Sequence, residues 1–342
     1  MKNLKYFFTV TFALVIGGVI SSCSKDSDSS DGEGSARPDY RAESAMFTIN
    51  QSSKYSMIEL TESGNYLVVL SNSPYPNYAP SVEQANEYTS ILVAPWAEPA
   101  TRSKTVGNLI TGKYTKTDEL QYELEGFGSL KVVKTDENNV VLDIKETDGT
   151  SFSLPATIVE KYEGSTNTTG LCRTWTIQNT HLKARMEFQG EKFSFEKTVN
   201  GGDIPTLMIS MYTDLYKWAA SISSKMGQTI TQDQVNYMIQ EQTEKIKASV
   251  PVASSILFSQ AGTYIVFYAN DTFGVAKWNW INEDETTIRY AWDRIYGTNQ
   301  STNVSGNCDV ALSGKQCKLI ESKSQYNENG MIESTTTYTL VE

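Results

Sequence analysis

The sequence of 342 residues contains a single histidine, His181, and only four cysteines. One histidine excludes sites that need two or more, such as His-rich zinc sites and the HExxH helix of metalloproteases. The sequence also lacks the GxxxxGK[ST] loop and the GxGxxG turn that bind phosphate groups. A formal net charge of −11 would repel a nucleic-acid backbone. The sequence therefore predicts no metal, no cofactor and no nucleic-acid partner.

The first 22 residues have the pattern of a signal peptide. Lys2 and Lys5 precede an apolar run over 6–20, which has the length of a signal-peptide core and is short for a membrane span. The run ends in Ile20-Ser21-Ser22-Cys23, which resembles a bacterial lipobox, in which the cysteine thiol receives diacylglycerol. The alternative is an ordinary secretory signal followed by a chance cysteine. We expect lipidation at Cys23.

A polar segment follows the cysteine. Residues 24–35 contain no large apolar side chain, so we expect residues 23–44 to form a lipidated flexible tether. The start of the segment, Ser-Lys-Asp-Ser-Asp, resembles the acidic export signal of Bacteroides-type surface lipoproteins. The resemblance implies the outer membrane, with the cell surface favoured over the periplasmic face. A calcium loop is the alternative, but its glycine falls at position 7 instead of position 6 of the EF-hand pattern.

From residue 45 onward, runs rich in Val, Ile, Thr, Tyr and Phe are separated by Gly, Asn, Asp and Pro, which predicts antiparallel strands. We predict a mainly β fold of two barrel or sandwich units, 45–162 and 171–342, joined by a polar linker over 163–170. The first unit has predicted strands at 46–49, 55–60, 65–70, 113–117, 120–123, 130–134, 140–144 and 151–154. The second has them at 175–179, 184–188, 192–199, 256–258, 263–268, 275–281, 287–292, 316–325 and 332–341.

The second unit contains a segment with helical periodicity. Apolar residues from Leu207 to Met226 recur at spacings of three and four, and Gly227 is placed to end a helix. Thr231 and Gln234 have the spacing of a capping box, which starts a second helix that runs to Pro251. We predict a two-helix insert over 207–250 that covers an open end or face of the second unit.

The two units share sequence features in the same order. Residues 59–69 match 257–267, a Gly-x-Tyr turn that enters an apolar strand, and the motifs at 113–114 and 120–122 parallel those at 277–278 and 288–290. These matches predict a tandem duplication. The alternative is that unrelated hairpins share glycine turns and aromatic strands.

The second unit also resembles the lipocalin-like domains that are common in Bacteroides-type lipoproteins. The motifs that carry the resemblance are Leu171-x-x-x-Trp175, Gly262-Thr263-Tyr264, and Gly274 with Trp278. Arg173 stands where the family usually has glycine, and the helical insert is a further departure. The resemblance implies a small antiparallel barrel or barrel-like sandwich, with ligand binding assumed by analogy.

Four aromatic residues are the candidate ligand-binding residues. Alternation places Trp278 and Trp280 on one face of a strand, and Tyr290 and Trp292 on one face of the next. If these strands pair, the four side chains form a platform for a sugar or an apolar ligand. The alternative is that they are core residues. We predict a non-enzymatic, membrane-anchored protein that binds a small apolar or glycan-like ligand; a protein-interaction or structural module with filled barrels is the second hypothesis.

The segment over 71–102 holds five of the nine prolines, and tyrosine and tryptophan residues lie between them. Because proline fixes φ and cannot pair within a sheet, we predict a stiff loop at an end of the first unit. Such a loop either carries function or packs across a barrel mouth to close it.

Three cysteines remain after lipidation. The candidate disulfide joins Cys308 and Cys317, although Cys172 could pair with either of them. Cys172 could also act as a nucleophile with His181, but a buried strand cysteine is the commoner arrangement. The adjacent carboxylates Asp284 and Glu285 lie in a turn-like stretch that we expect to be solvated. We therefore predict no catalytic residue.

Overall fold

The structure of the protein is a computed structural model that describes residues 45–52, 54–71, 90–94, 105–106, 109–159, 165–227, 229–292, 305–327 and 330–342. The predicted signal peptide, Cys23 and the tether lie outside these residues, as do the five prolines of the 71–102 loop.

The first unit is a closed eight-stranded antiparallel barrel. Because β1 pairs with both β2 and β9, and β3 pairs with β5, the sheet closes on itself. The short β4 pairs only with β5 among the described strands. The strands are β1 (Ala45–Ile49), β2 (Tyr55–Leu60), β3 (Asn65–Leu70), β4 (Thr105–Val106), β5 (Leu109–Asp118), β6 (Gln121–Leu124), β7 (Gly128–Lys134), β8 (Asn139–Glu146) and β9 (Ser151–Val159).

The second unit repeats this architecture. Its ring runs β10-β12-β13-β14-β15-β16-β17-β18 and closes through the pairing of β18 with β10, while β11 extends along the remaining part of β10. The strands are β10 (Thr174–Phe188), β11 (Glu191–Asn200), β12 (Ala253–Phe258), β13 (Thr263–Tyr268), β14 (Phe273–Trp280), β15 (Thr287–Ala291), β16 (Ser305–Ser313), β17 (Gln316–Asn327) and β18 (Gly330–Val341). The helices are α1 (Thr166–Leu171), α2 (Ile204–Ser223) and α3 (Gln232–Ser249).

The predicted fold class is confirmed: the chain is mainly β, with two antiparallel barrels and a helical insert in the second. The signals at the helix ends act as predicted. Gly227 ends the first helical segment with φ 68°, and Thr231 and Gln234 form both bonds of the capping box. Both helices therefore begin or end where local side-chain chemistry satisfies the terminal backbone groups.

Three local predictions were wrong. The segments 175–179 and 184–188 belong to the single strand β10, which bends at a register shift between Ile177 and Asn179. Strand β16 was missed, because its glycine and its polar residues hide the alternation. The predicted linker contains α1, which begins where the Ser165 side chain accepts a hydrogen bond from the Thr168 amide and which buries Leu171.

The hairpins β2–β3 and β12–β13 support the predicted duplication. Both contain a register shift after their first pair, and Leu60 opposes Tyr66 as Phe258 opposes Tyr264. The turn glycines Gly64 and Gly262 share positive φ angles of 74° and 82°. The second sequence match aligns Tyr122 with Tyr290. In the structure Trp278 pairs with Tyr290, whereas Tyr114 pairs with Leu124, so this match is two residues out of register.

The two barrels pack against each other through the outer faces of these hairpins. A single buried apolar cluster contains Met57 and Leu67 from the first barrel and Leu257 and Ile265 from the second. Leu67 and Ile265 occupy equivalent hairpin positions: each is the third residue of the second strand and opposes the next-to-last residue of the first. The repeated surface of one barrel therefore buries the repeated surface of the other.

Candidate functional site

The structure brings the four predicted aromatic residues together on the inner face of the second barrel. Trp278 opposes Tyr290 across β14 and β15, and Trp292 directly follows β15. Trp278, Tyr290 and Trp292 are at most 2% exposed, and the partly buried Trp280 packs against the same core. These side chains therefore belong to the barrel core, which was the alternative to a ligand-binding platform.

Hydrogen bonds fix the indole rings inside the barrel. Trp278 Nε1 donates to the Ser259 carbonyl oxygen at 3.0 Å, and Trp280 Nε1 donates to Thr168 Oγ1 at 2.9 Å. The ring of Trp278 meets Phe258 edge-on at a centroid distance of 5.8 Å. Because buried indole N–H groups need acceptors, these bonds allow large aromatic side chains to fill the barrel without an unsatisfied donor.

A segment of the first unit lies within the core of the second barrel. We call Ser90–Ala94 the mouth segment; the side chains of Ile91, Leu92 and Val93 are fully buried in the second barrel's core cluster. It is the only described part of the proline-rich 71–102 segment apart from residue 71. Of the two alternatives for this loop, its described part agrees with packing into a barrel, although that barrel is the second and not the first.

Three barrel side chains bind the backbone of the mouth segment. Trp292 Nε1 donates to the Ser90 carbonyl oxygen at 2.8 Å, and the Ile91 amide donates to Glu321 Oε2 at 3.3 Å. The Ala94 amide donates to Tyr268 Oη at 3.1 Å. The barrel therefore recognises the main chain of this segment with polar groups and its side chains with apolar ones.

Glu321 is the charged residue that sequence reasoning missed. It is 4% exposed, and its carboxylate accepts hydrogen bonds from Tyr290 Oη at 2.5 Å and Tyr338 Oη at 2.9 Å in addition to the Ile91 amide. A buried carboxylate is tolerated when donors replace its hydration shell. Alternation along β17 is the sequence signal for its burial: Cys317 and Leu319 point inward, and Glu321 is the next residue in the same row.

The tyrosines around Glu321 remain protonated donors. Burial, followed by the negative charge of Glu321, raises the pKa of Tyr290 and of Tyr338 well above the usual value. Burial also raises the pKa of Tyr264, whose hydroxyl has no hydrogen-bond partner among the described residues. The interior thus combines an acceptor-rich carboxylate with neutral phenols.

A small cavity of about 20 Å³ lies beside the mouth segment. Glu321 and Tyr338 line it on the barrel side, Ser90 lines it from the mouth segment, and Leu207 and Met208 of α2 line it from the insert. This volume corresponds to about one water molecule. The helical insert therefore packs over the same part of the barrel that holds the mouth segment.

The candidate disulfide is not formed. Cys308 and Cys317 are buried free thiols, and Cys317 opposes Leu312, so the two cysteines lie about four positions apart along the paired strands. That separation, roughly 13 Å at 3.3 Å per residue, exceeds the reach of a disulfide. Burial raises the pKa of Cys308, and it raises that of Cys317 to about 12, which disfavours the reactive thiolate.

Cys172 and His181 do not form a nucleophile and base pair. Cys172 is buried before β10 begins, whereas His181 lies seven residues inside that strand, roughly 23 Å from its first residue. His181 Nδ1 instead contacts Thr198 Oγ1 at 3.0 Å. Among the described residues no group of three or more His, Cys, Asp or Glu could hold a metal ion.

A polar groove of about 460 Å³ lies along the wall of the first barrel. The groove follows two rows of cross-strand neighbours, each with one residue from each of the strands β6, β7, β8 and β9. Short serine side chains lie next to longer charged side chains in these rows. Both charge signs are present. The polar residues in the rows are Gln121, Lys131, Asp143 and Ser153, and Glu123, Ser129, Lys145 and Ser151.

Comparison with known proteins gives no family assignment. No family model matches the sequence, and no curated protein is significantly similar to it. Within the described ranges, no helix combines the length and apolar character needed to cross a membrane.

Proposed function

We propose that the protein is a non-enzymatic lipoprotein of the bacterial outer membrane, anchored through Cys23, with the cell-surface face favoured, whose two filled barrels form an interaction module. The observation that carries the proposal is the interior of the second barrel, which is occupied by aromatic side chains and by the mouth segment. This favours the second hypothesis of the sequence analysis over an open cup. The resemblance to lipocalin-like domains then concerns the barrel architecture and not the ligand cavity.

The geometry supports this choice energetically. A small apolar ligand beside Trp292 would have to displace Ile91, Leu92 and Val93, each of which is fully buried. Burial of one such side chain is worth about 1.5–3 kcal/mol, so a ligand must replace several such contributions before it gains affinity. An apolar peptide segment replaces all three contributions at once, whereas a small ligand replaces only part of them.

The lipid anchor is tested by the substitution Cys23→Ser. In a bacterial host that processes lipoproteins, we expect the full chain to incorporate an alkyne-labelled fatty acid and to sediment with outer membranes, because the thiol carries the acyl chains. Cys23→Ser should abolish labelling, whereas Ser22→Ala, which keeps a small residue before the cysteine, should retain it. Undiminished labelling of Cys23→Ser would refute the anchor, and protease treatment of intact cells would report the exposed face.

A second candidate function is glycan binding at the polar groove of the first barrel. Hydroxyl, amide, carboxylate and ammonium groups line this groove, and such groups form directional hydrogen bonds with sugar hydroxyls. Its volume falls within the usual range for small-ligand sites. The groove therefore offers a glycan-like ligand a place that requires no rearrangement of the barrel core.

One titration series separates these functions. The mature chain carrying Cys23→Ser is titrated calorimetrically with an apolar fluorophore and with soluble oligosaccharides. We expect no saturable binding of the fluorophore; 1:1 binding weakened by Trp292→Phe would contradict the filled barrel. Glycan binding at the groove should weaken at least tenfold with Lys131→Ala and be retained with Lys134→Ala, an exposed control on the same strand.

A further inference from the structure

We propose that the mouth of the second barrel, formed by Tyr268, Tyr290, Trp292, Glu321 and Tyr338, is a peptide-binding site whose resident occupant is the chain's own mouth segment. The partner it fits is an exposed peptide with one small polar residue followed by three or four apolar residues. This deepens the proposed interaction function, on which it rests, by naming a partner class and the place where that partner binds.

The second barrel recognises the mouth segment through its main chain. The Ser90 carbonyl oxygen and the Ile91 and Ala94 amides are bound by Trp292, Glu321 and Tyr268 respectively. All three contacts involve the occupant's main chain, so they are available to other sequences of the same backbone shape. The buried side chains then select for apolar residues, as pockets do in other modes of peptide recognition.

The mouth segment is not paired with any described strand of the barrel. Its described backbone–backbone hydrogen bonds are internal: the Ser90 amide donates to the Val93 carbonyl oxygen at 3.1 Å, and the Val93 amide donates to the Ser90 carbonyl oxygen at 3.3 Å. The barrel strands, by contrast, are joined by continuous ladders that close the ring. The mouth segment can therefore leave without breaking any strand pairing described in the barrel.

The site requires two backbone N–H groups from its occupant. Glu321 presents an acceptor to the amide that follows the small polar residue, and Tyr268 presents one to the amide three residues later. Proline has no amide hydrogen and cannot satisfy either position. The site is thus specific for a peptide with free N–H groups at these two positions. A peptide that is N-methylated there keeps its side chains but lacks both N–H groups, and it therefore serves as a control.

Displacement is tested first in the otherwise unmodified mature chain, with Cys23→Ser in every sample so that no detergent is needed. We expect the Ile91 and Ala94 amides to exchange with solvent deuterium at least tenfold faster than the hydrogen-bonded amides of β13, because the segment opens locally. Exchange of both sets only upon global unfolding would overturn the proposal that the occupant can be displaced.

Binding is tested with an emptied variant, in which Ile91→Gly, Leu92→Ser and Val93→Gly are combined. The probe is a synthetic peptide of residues 88–96, and the control is the same peptide N-methylated at the positions of Ile91 and Ala94. We expect the probe to raise the melting temperature of the emptied variant and to bind at least tenfold more tightly than the control. Equal binding of the two peptides, or binding of neither, would overturn the proposal.

The peptide test also distinguishes the outcomes if the emptied variant does not fold on its own. If the emptied variant is unfolded alone, recovery of a cooperative melting transition with the probe, and not with the control, supports the site; absence of recovery overturns it. The milder Leu92→Ala provides a folded background for the same comparison. Failure of these tests would not contradict the lipid anchor or glycan binding at the groove, because the Cys23→Ser and Lys131→Ala experiments test those two proposals separately.

Discussion

Glu321→Ala is expected to lower the free energy of unfolding by about 3–5 kcal/mol, because each buried donor that loses its acceptor costs about 1–3 kcal/mol. The substitution removes the acceptor of Tyr290, Tyr338 and the Ile91 amide, and it leaves these three donors in an interior that has room for about one water molecule. Urea denaturation followed by tryptophan fluorescence measures the loss.

Glu321→Gln is the matched control for this prediction. The amide keeps the size of the side chain and one acceptor oxygen, and the tyrosine hydroxyls can rotate to accept from its NH₂ group. We expect it to cost less than half as much as Glu321→Ala. Equal stability of the wild type and Glu321→Ala would show that the carboxylate does not organise the mouth of the barrel.

Trp278→Ala is expected to cost about 3–5 kcal/mol, the usual range for truncation of a buried tryptophan. The ring is 2% exposed, contacts Phe258 and Trp280, and donates to the Ser259 carbonyl oxygen. Truncation therefore leaves a cavity and removes one of the hydrogen bonds that this oxygen accepts. The same denaturation assay measures the effect.

Ile281→Ala is the control for Trp278→Ala, because this residue directly follows the same strand and is 46% exposed. We expect a change of at most about 0.5 kcal/mol, as for other surface substitutions. If Trp278→Ala were as mild as Ile281→Ala, the aromatic group would be dispensable to the core and the ligand-platform hypothesis would regain support.

Local chemistry was sufficient to predict most of the strands and both long helices. The bounds of β2, β3 and β13 follow from apolar runs that end at turns, two of which need glycine at positive φ. Thr231 with Gln234 set the start of α3 in the same way. In each case the deciding interactions lie within a few residues of each other, so a single sequence contains them.

The mouth of the second barrel could not be predicted in this way. Ile91 and Glu321 are separated by 230 positions in the chain, and no local pattern states that they meet. The run Ser90–Ala94 is too short to distinguish a strand from a buried turn by periodicity, and the surrounding prolines indicated only a loop. The four aromatic residues were predicted to share one face of the sheet. Whether that face meets water or the barrel interior depends on closure of the whole ring.

The location of the mouth segment has a consequence for biosynthesis. The ribosome completes residues 90–94 long before β18, the strand that closes the second ring. Until that strand pairs with β10, the side chains of Ile91, Leu92 and Val93 have no finished core to enter, and exposed apolar chain of this kind aggregates. The segment therefore stays exposed until the last strand of the second barrel has been synthesised and has paired.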